Sequence, residues 1–139
     1  MNILFVDAKS WTPYDNESVR HEAVGGTEAT LVTIAQGLSQ KHNVMVEQYG
    51  RTREFVPHAA LRYVGPQAVS SLLGKADPDV VVILRRSRLA CRLSETVPDG
   101  TAVCLDPQLA TARGGAEACR AGAQSLFRDC GFGCLGERK

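Results

Sequence analysis

The chain has 139 residues, of which 44% are hydrophobic and 22% charged, the proportions of an ordinary soluble domain. Sixteen basic and fifteen acidic side chains leave a net charge of +1, so no charge field marks nucleic acid or an anionic membrane as the main partner. The longest aliphatic run, Val80 to Leu84, is far short of the ~20 residues that span a bilayer. The N-terminus lacks a basic n-region before its apolar stretch, so no signal peptide is expected, and the expected compartment is the cytoplasm.

Taken in order, Asn2 to Asp7 reads as a buried first strand. Ala8 to Val24 is a long polar connection carrying Trp11, Pro13 and Tyr14. Connections of this length inside a compact domain are commonly functional or mobile. Gly25-Gly26-Thr27-Glu28 opens a helix whose apolar face is Leu31, Ile34, Ala35 and Leu38, at the spacing i, i+3, i+4, i+7. Lys41 and His42 suit the negative end of its dipole. Asn43 leads into a second strand, Val44 to Tyr49. Gly50 to Pro57 is loop-like, Ala60 to Val64 is a short third strand, and Gln67 to Ala76 is a short helix. Asp77-Pro78-Asp79 is a turn. Val80 to Leu84, continuously apolar and β-branched, fits a central parallel strand buried on both faces. A helix over Arg86 to Leu93 and a fifth strand over Thr101 to Leu105 complete the series. Alternation of this kind predicts an α/β fold: a Rossmann-like, three-layer parallel sheet with crossover helices.

From Asp106 to Lys139 there is no Val, Ile, Tyr or Trp, and Gly, Ala, Arg and Cys dominate. Such a stretch cannot supply a good strand. It divides the chain into a domain over residues 1–105 and a tail over 106–139 that is expected to add little to stability. The five cysteines all lie from Cys91 onward. Their odd number and spacing argue against a disulfide framework and against a zinc site, leaving reduced thiols as the plainer reading.

Ligands of open parallel sheets sit beyond the carboxyl ends of the strands. The loop that ends in Gly25, Gly26 and Thr27 lies there. Two glycines permit close backbone approach, and the free N–H groups of a first helical turn favour a phosphate or diphosphate. The plainer alternative is a hinge that caps the helix, with Thr27 as the N-cap. Neither G-x-G-x-x-G nor G-x-x-x-x-G-K-[ST] is present. Asp7, at the end of the first strand, is a ligand or acid, or merely a strand terminator. His21 is a contact for a phosphate or an acceptor hydroxyl, or a solvated loop histidine. Arg85, with Arg86 and Arg88, forms a basic cluster at a strand end that either binds an anion or starts a solvated helix. A phospho-acceptor receiver would want an aspartate where Arg85 stands.

The strand Met1 to Asp7, the long loop, and Val24-Gly25-Gly26-Thr27-Glu28 opening an amphipathic helix resemble the start of GT-B glycosyltransferases of the family 4 type. Ala76-Asp77-Pro78-Asp79 before Val80 to Leu84 resembles that family's phrase before its fourth strand. The resemblance covers about residues 1–98. It implies the N-terminal, acceptor-side domain of an enzyme that moves a sugar from a nucleotide-sugar donor to an unknown acceptor. It implies no metal and no dinucleotide cofactor, and it places Gly25 and Gly26 near the donor diphosphate. The second, donor-binding domain is missing, so the chain alone is expected to be inactive. Where relatives carry a histidine-bearing phrase such as Trp-x-His-Asp, this chain has Leu105-Asp106-Pro107-Gln108. Codons for Leu-Asp-Pro-Gln can, read one base later, give Trp-Ile-His-Asn. A frameshift between about Pro98 and Leu105 would account for both that phrase and the tail; a truncated gene or a genuine tail is the plainer account. A stand-alone nucleotide- or phosphate-binding module, or an interaction module, is the alternative function.

Overall fold

In the computed structural model, residues 1–67, 69–86 and 101–105 are described, together with Leu89, Thr96 and Val97. The tail over 106–139, four of the five cysteines, Arg88 and most of the helix expected over Arg86 to Leu93 lie outside the described residues. Six strands form one sheet in the order β3-β4-β2-β1-β5-β6. They are β1 (Asn2–Asp7), β2 (Asn43–Gln48), β3 (Phe55–His58), β4 (Leu61–Val64), β5 (Val80–Leu84) and β6 (Ala102–Leu105). The helices are α1 (Ser18–His21), α2 (Gly26–Leu38) and α3 (Val69–Ala76). The fold is α/β.

β1 and β5 are neighbouring central strands, as their burial demands. Ile3 pairs with Val80 and Asp7 with Leu84, and all five residues of β5 are buried. The sheet has two apolar faces because the strands are buried on both sides. On one face Ile3, Phe5, Val44, Val46, Val80 and Val82 pack with Leu31, Val32 and Ala35 of α2. On the other Leu4, Val6, Met45, Val81 and Ile83 pack with Leu72 and Leu73 of α3. One helix on each face gives three layers. Asp77 turns the chain out of α3 with φ 37° while its N–H bonds the Leu73 carbonyl at 2.8 Å.

Four expectations need correction. The sheet is not wholly parallel: β3 lies antiparallel to β4 at the edge, in a segment expected to be loop as far as Pro57. Proline obscured it, since a strand with Pro is tolerated only where its missing N–H faces no neighbour, and β3 is an edge strand. The apolar stripe of α2 is wider than the predicted one. Val32 is buried, whereas Ile34 and Leu38 are half-buried and flank the cluster rather than anchor it. The N-cap of α2 is Gly25, with extended φ −60° and ψ 154°, so Thr27 is a first-turn residue and not the cap. Finally, the long connection contains α1 and is tied to the sheet at Tyr14.

That tie is a polar network on the end of β2. Gln48 Nε2 donates to the Tyr14 carbonyl at 2.7 Å, and Arg51 donates to the same carbonyl at 3.0 Å and to Asp15 Oδ2 at 2.8 Å. Arg51 also lies over the Tyr63 ring, 5.4 Å from its centroid, and Tyr63 Oη donates to Asn16 at 2.6 Å. Asp15 is held below the usual carboxylate range: burial opposes its charge, but hydrogen bonds from Arg51, Ser18 and Glu17 more than offset that. Every polar group of residues 14–16 named here has a partner, and these bonds offset the cost of burying the connection against the sheet.

Candidate functional site

The chain leaves β1 for β2 and β4 on one side and returns to β5 on the other, so its topological switch point lies between β1 and β5. Crevices at such points, beyond the carboxyl ends, are where open α/β sheets bind ligands. Asp7 ends β1, Arg85 follows β5, and α2 begins above them. The register that pairs Asp7 with Leu84 brings Arg85 within reach of Asp7.

Asp7 has no exposed surface. Its Oδ1 accepts from Arg85 Nε at 3.1 Å and from the Lys9 N–H at 3.3 Å. Its Oδ2 accepts from Tyr14 Oη at 2.7 Å and from Arg85 Nη2. Arg85 Nη1 reaches Glu28 Oε1 at 2.8 Å, so one guanidinium bridges the strand end to the first turn of α2. Burial works against the Arg85 charge, but the bonds to Asp7 and Glu28 more than compensate and hold the guanidinium more firmly protonated than usual. Burial, and then the Asp7 carboxylate, push the Tyr14 phenol well above its ordinary range, so it stays a donor. Arg85 holds φ 62°, a left-handed conformation that costs a side-chain-bearing residue about 1–2 kcal/mol. The two-pronged contact with Asp7 is what offsets it.

The predicted site residues therefore separate. Asp7 and Arg85 are brought together as partners of each other, and Arg85 also holds Glu28. Gly25, Gly26 and Thr27 stand at the mouth of the switch point. Neither glycine needs a positive φ, and they differ in surroundings. A Cβ on Gly25 would meet the Glu28 carboxylate at 2.3 Å, whereas one on Gly26 would meet nothing within 4 Å. His21 is exposed at the end of α1.

Three features were not anticipated. Glu28, in the first turn of α2, pairs with Arg85, and an acid in a first turn together with a strand-end arginine is the signal for it in the sequence. Glu47 of β2 is 6% exposed and its Oε2 has no hydrogen-bond partner. Burial, and then the nearby Asp7 charge, push its carboxyl up to about 7. Trp11 and Tyr49 meet edge to face at the rim. A cleft of about 290 Å³ exists elsewhere, lined by Asn2, Asn43, Arg62, Lys75 and Asp77 at the opposite, amino ends of the strands. Among the described residues no group of three or more His, Cys, Asp or Glu side chains is placed to hold a metal ion, and no helix is long and apolar enough to cross a membrane.

No family model, no curated protein and no solved structure matches this chain.

Proposed function

We propose that this chain forms the acceptor-side wall of a GT-B glycosyltransferase cleft, a Rossmann-like domain in which the N-terminus of α2 faces the diphosphate of a nucleotide-sugar donor. The observation that carries the reading is Gly26. It starts the helix at the mouth of the switch point, and the place of its missing side chain is open space. The first N–H groups of a helix have no partner inside it, and the dipole adds positive charge there. A diphosphate accumulates negative charge as it leaves the sugar, so preorganised N–H donors at that point stabilise the transition state more than the ground state. Asp7, Tyr14 and Arg85 are positioning groups in this scheme: they fix the end of β1 and β5 against α2. His21 and the connection that bears it line the acceptor side. In this scheme a second domain supplies the other wall and the nucleotide pocket, so the domain over residues 1–105 on its own binds the donor weakly and transfers no sugar.

Uridine diphosphate added to the isotope-labelled chain tests this. Amide signals of Gly25 to Glu28 are expected to move at millimolar ligand, and to stop moving in Gly26→Val. A Cβ at this position meets nothing within 4 Å, and far-ultraviolet circular dichroism of the variant checks that the fold is kept. Shifts confined to other residues, or unaffected by Gly26→Val, would refute the assignment. Tight binding without any second wall would instead make the chain a self-sufficient phosphate-binding module.

A further inference from the structure

Tryptophan is costly to leave in water, because its ring carries a large apolar area. Yet Trp11 is 78% exposed and its neighbour Tyr49 is 47% exposed. The two rings are 4.9 Å apart between centroids and 78° apart in plane. The backbone beneath them is firmly placed. Ser10 Oγ donates to the Asp7 carbonyl at 3.1 Å, Tyr49 N–H to the same carbonyl at 3.2 Å, and Gly50 N–H to the Ser10 carbonyl at 2.6 Å. Gly50 is also a packing requirement, since a Cβ there would lie 2.0 Å from the Trp11 carbonyl oxygen. The pair is therefore a fixed corner, and it stands just past β1 and β2 at the same end of the sheet as the switch point.

We infer that Trp11 and Tyr49 form a stacking subsite for a saccharide ring, the acceptor sugar of the reaction proposed above. The inference rests on that reading for the sugar's role and on the corner itself for the binding. A 78° corner offers two aromatic surfaces nearly at right angles, a shape that a puckered ring can touch on two sides at once. A chair-shaped pyranose fits it: its axial C–H bonds meet the electron-rich face of one ring and its edge meets the other. The patch is too small for a protein partner. The other large exposed apolar side chains among the described residues are Met1, at the amino ends, and Val56, on the edge strand, and Lys9 and Thr12, flanking Trp11 in the sequence, are exposed and polar. A stable protein interface buries on the order of 800 Å² a side around a central apolar cluster.

Trp11 is the only tryptophan, so its indole N–H is a single, site-specific nuclear magnetic resonance signal. The intact chain is titrated separately with maltose, cellobiose, chitobiose and mannobiose, with adenosine, and with uridine diphosphate. At least one disaccharide is expected to move the indole signal saturably at millimolar concentration. Tyr49→Ala is expected to weaken that binding at least fivefold, and Tyr49→Phe, which keeps the ring, much less. Silence toward all four disaccharides overturns the subsite. An adenosine response as large as the best sugar's, or sugar binding unchanged in Tyr49→Ala, overturns the saccharide corner equally. The diphosphate arm is read at Gly25 to Glu28 instead, so the subsite and the donor-side reading can fail independently.

Discussion

Replacing Arg85 separates two opposing energies that the structure places on one residue. Its guanidinium holds a carboxylate with no exposed surface, while its backbone sits at φ 62°. Arg85→Ala removes both prongs of the contact and leaves Asp7 with Tyr14 Oη and the Lys9 N–H as donors. Breaking a buried ion pair from one side costs about 3–5 kcal/mol. Arg85 is 28% exposed, so water can partly re-solvate the gap, and about 3 kcal/mol is the expected loss. Arg85→Gly loses the same contact but relieves the left-handed backbone, recovering about 1 kcal/mol; a more flexible unfolded state takes some of that back. Urea unfolding at neutral pH, followed by far-ultraviolet circular dichroism, measures both. Alanine should therefore be the worse substitution, by several tenths to about 1 kcal/mol. A loss below ~1 kcal/mol for Arg85→Ala would show that the pair is only a surface contact, and glycine proving worse than alanine would refute the strain at this position.

Glu47→Gln should stabilise the protein in alkaline buffer and hardly at all in acid. The folded carboxyl titrates near 7 against 4.5 when free, so the glutamate costs stability as pH rises from 4.5 toward 7, and above that the penalty is constant at about 3 kcal/mol. Unfolding midpoints of the two proteins measured from pH 5 to about 8.5 check the sign; parallel curves would contradict it. Gly50→Ala forces a methyl group against the Trp11 backbone and should cost about 1–3 kcal/mol while shifting the indole signal of Trp11. An unchanged indole resonance would mean that the corner is not fixed by this contact.

Most of the sheet was legible because its strands announce themselves. Val80 to Leu84 has no polar residue and demands a central place, and Asn2 to Asp7 pairs with it in register. β3 was hidden by Pro57 and by its charged flanks, since an edge strand needs little apolar pattern. The site was legible by position but not by partnership. Strand-end reasoning found Asp7 and Arg85 separately, but whether two side chains meet depends on register, which periodicity does not carry. Tyr14 lies seven residues beyond Asp7 in a connection with no repeat, and only the folded course of that connection returns its hydroxyl to the carboxylate. Glu47 is a charged residue within the strand expected over Val44 to Tyr49, and nothing in its neighbours marks it as buried. It is buried because the sheet is covered on both faces, a property of the layers and not of the strand.

The charges at the switch point bear on the proposed diphosphate contact. Among the described residues, Asp7 and Glu28 share Arg85 as their ion-pair partner, two acids to one base. Glu28 also lies where a side chain on Gly25 would have to go, which means that the mouth of α2 is occupied by the protein's own carboxylate. An arriving diphosphate must compete with Glu28 for the first turn and for the Arg85 Nη1 donor. Glu28→Gln keeps the shape and removes the charge. A single charge at a helix N-terminus is worth about 0.3–1 kcal/mol, so uridine diphosphate should bind about two- to fivefold more tightly to the variant. The same substitution gives up a partly exposed ion pair, with both side chains 21–28% accessible, and should lower stability by less than ~1 kcal/mol. The gain should shrink in high salt, because screening weakens the repulsion that was removed. Weaker diphosphate binding in Glu28→Gln would show instead that Glu28 supports the site by holding Arg85 in place, and that Arg85 does not turn toward the ligand.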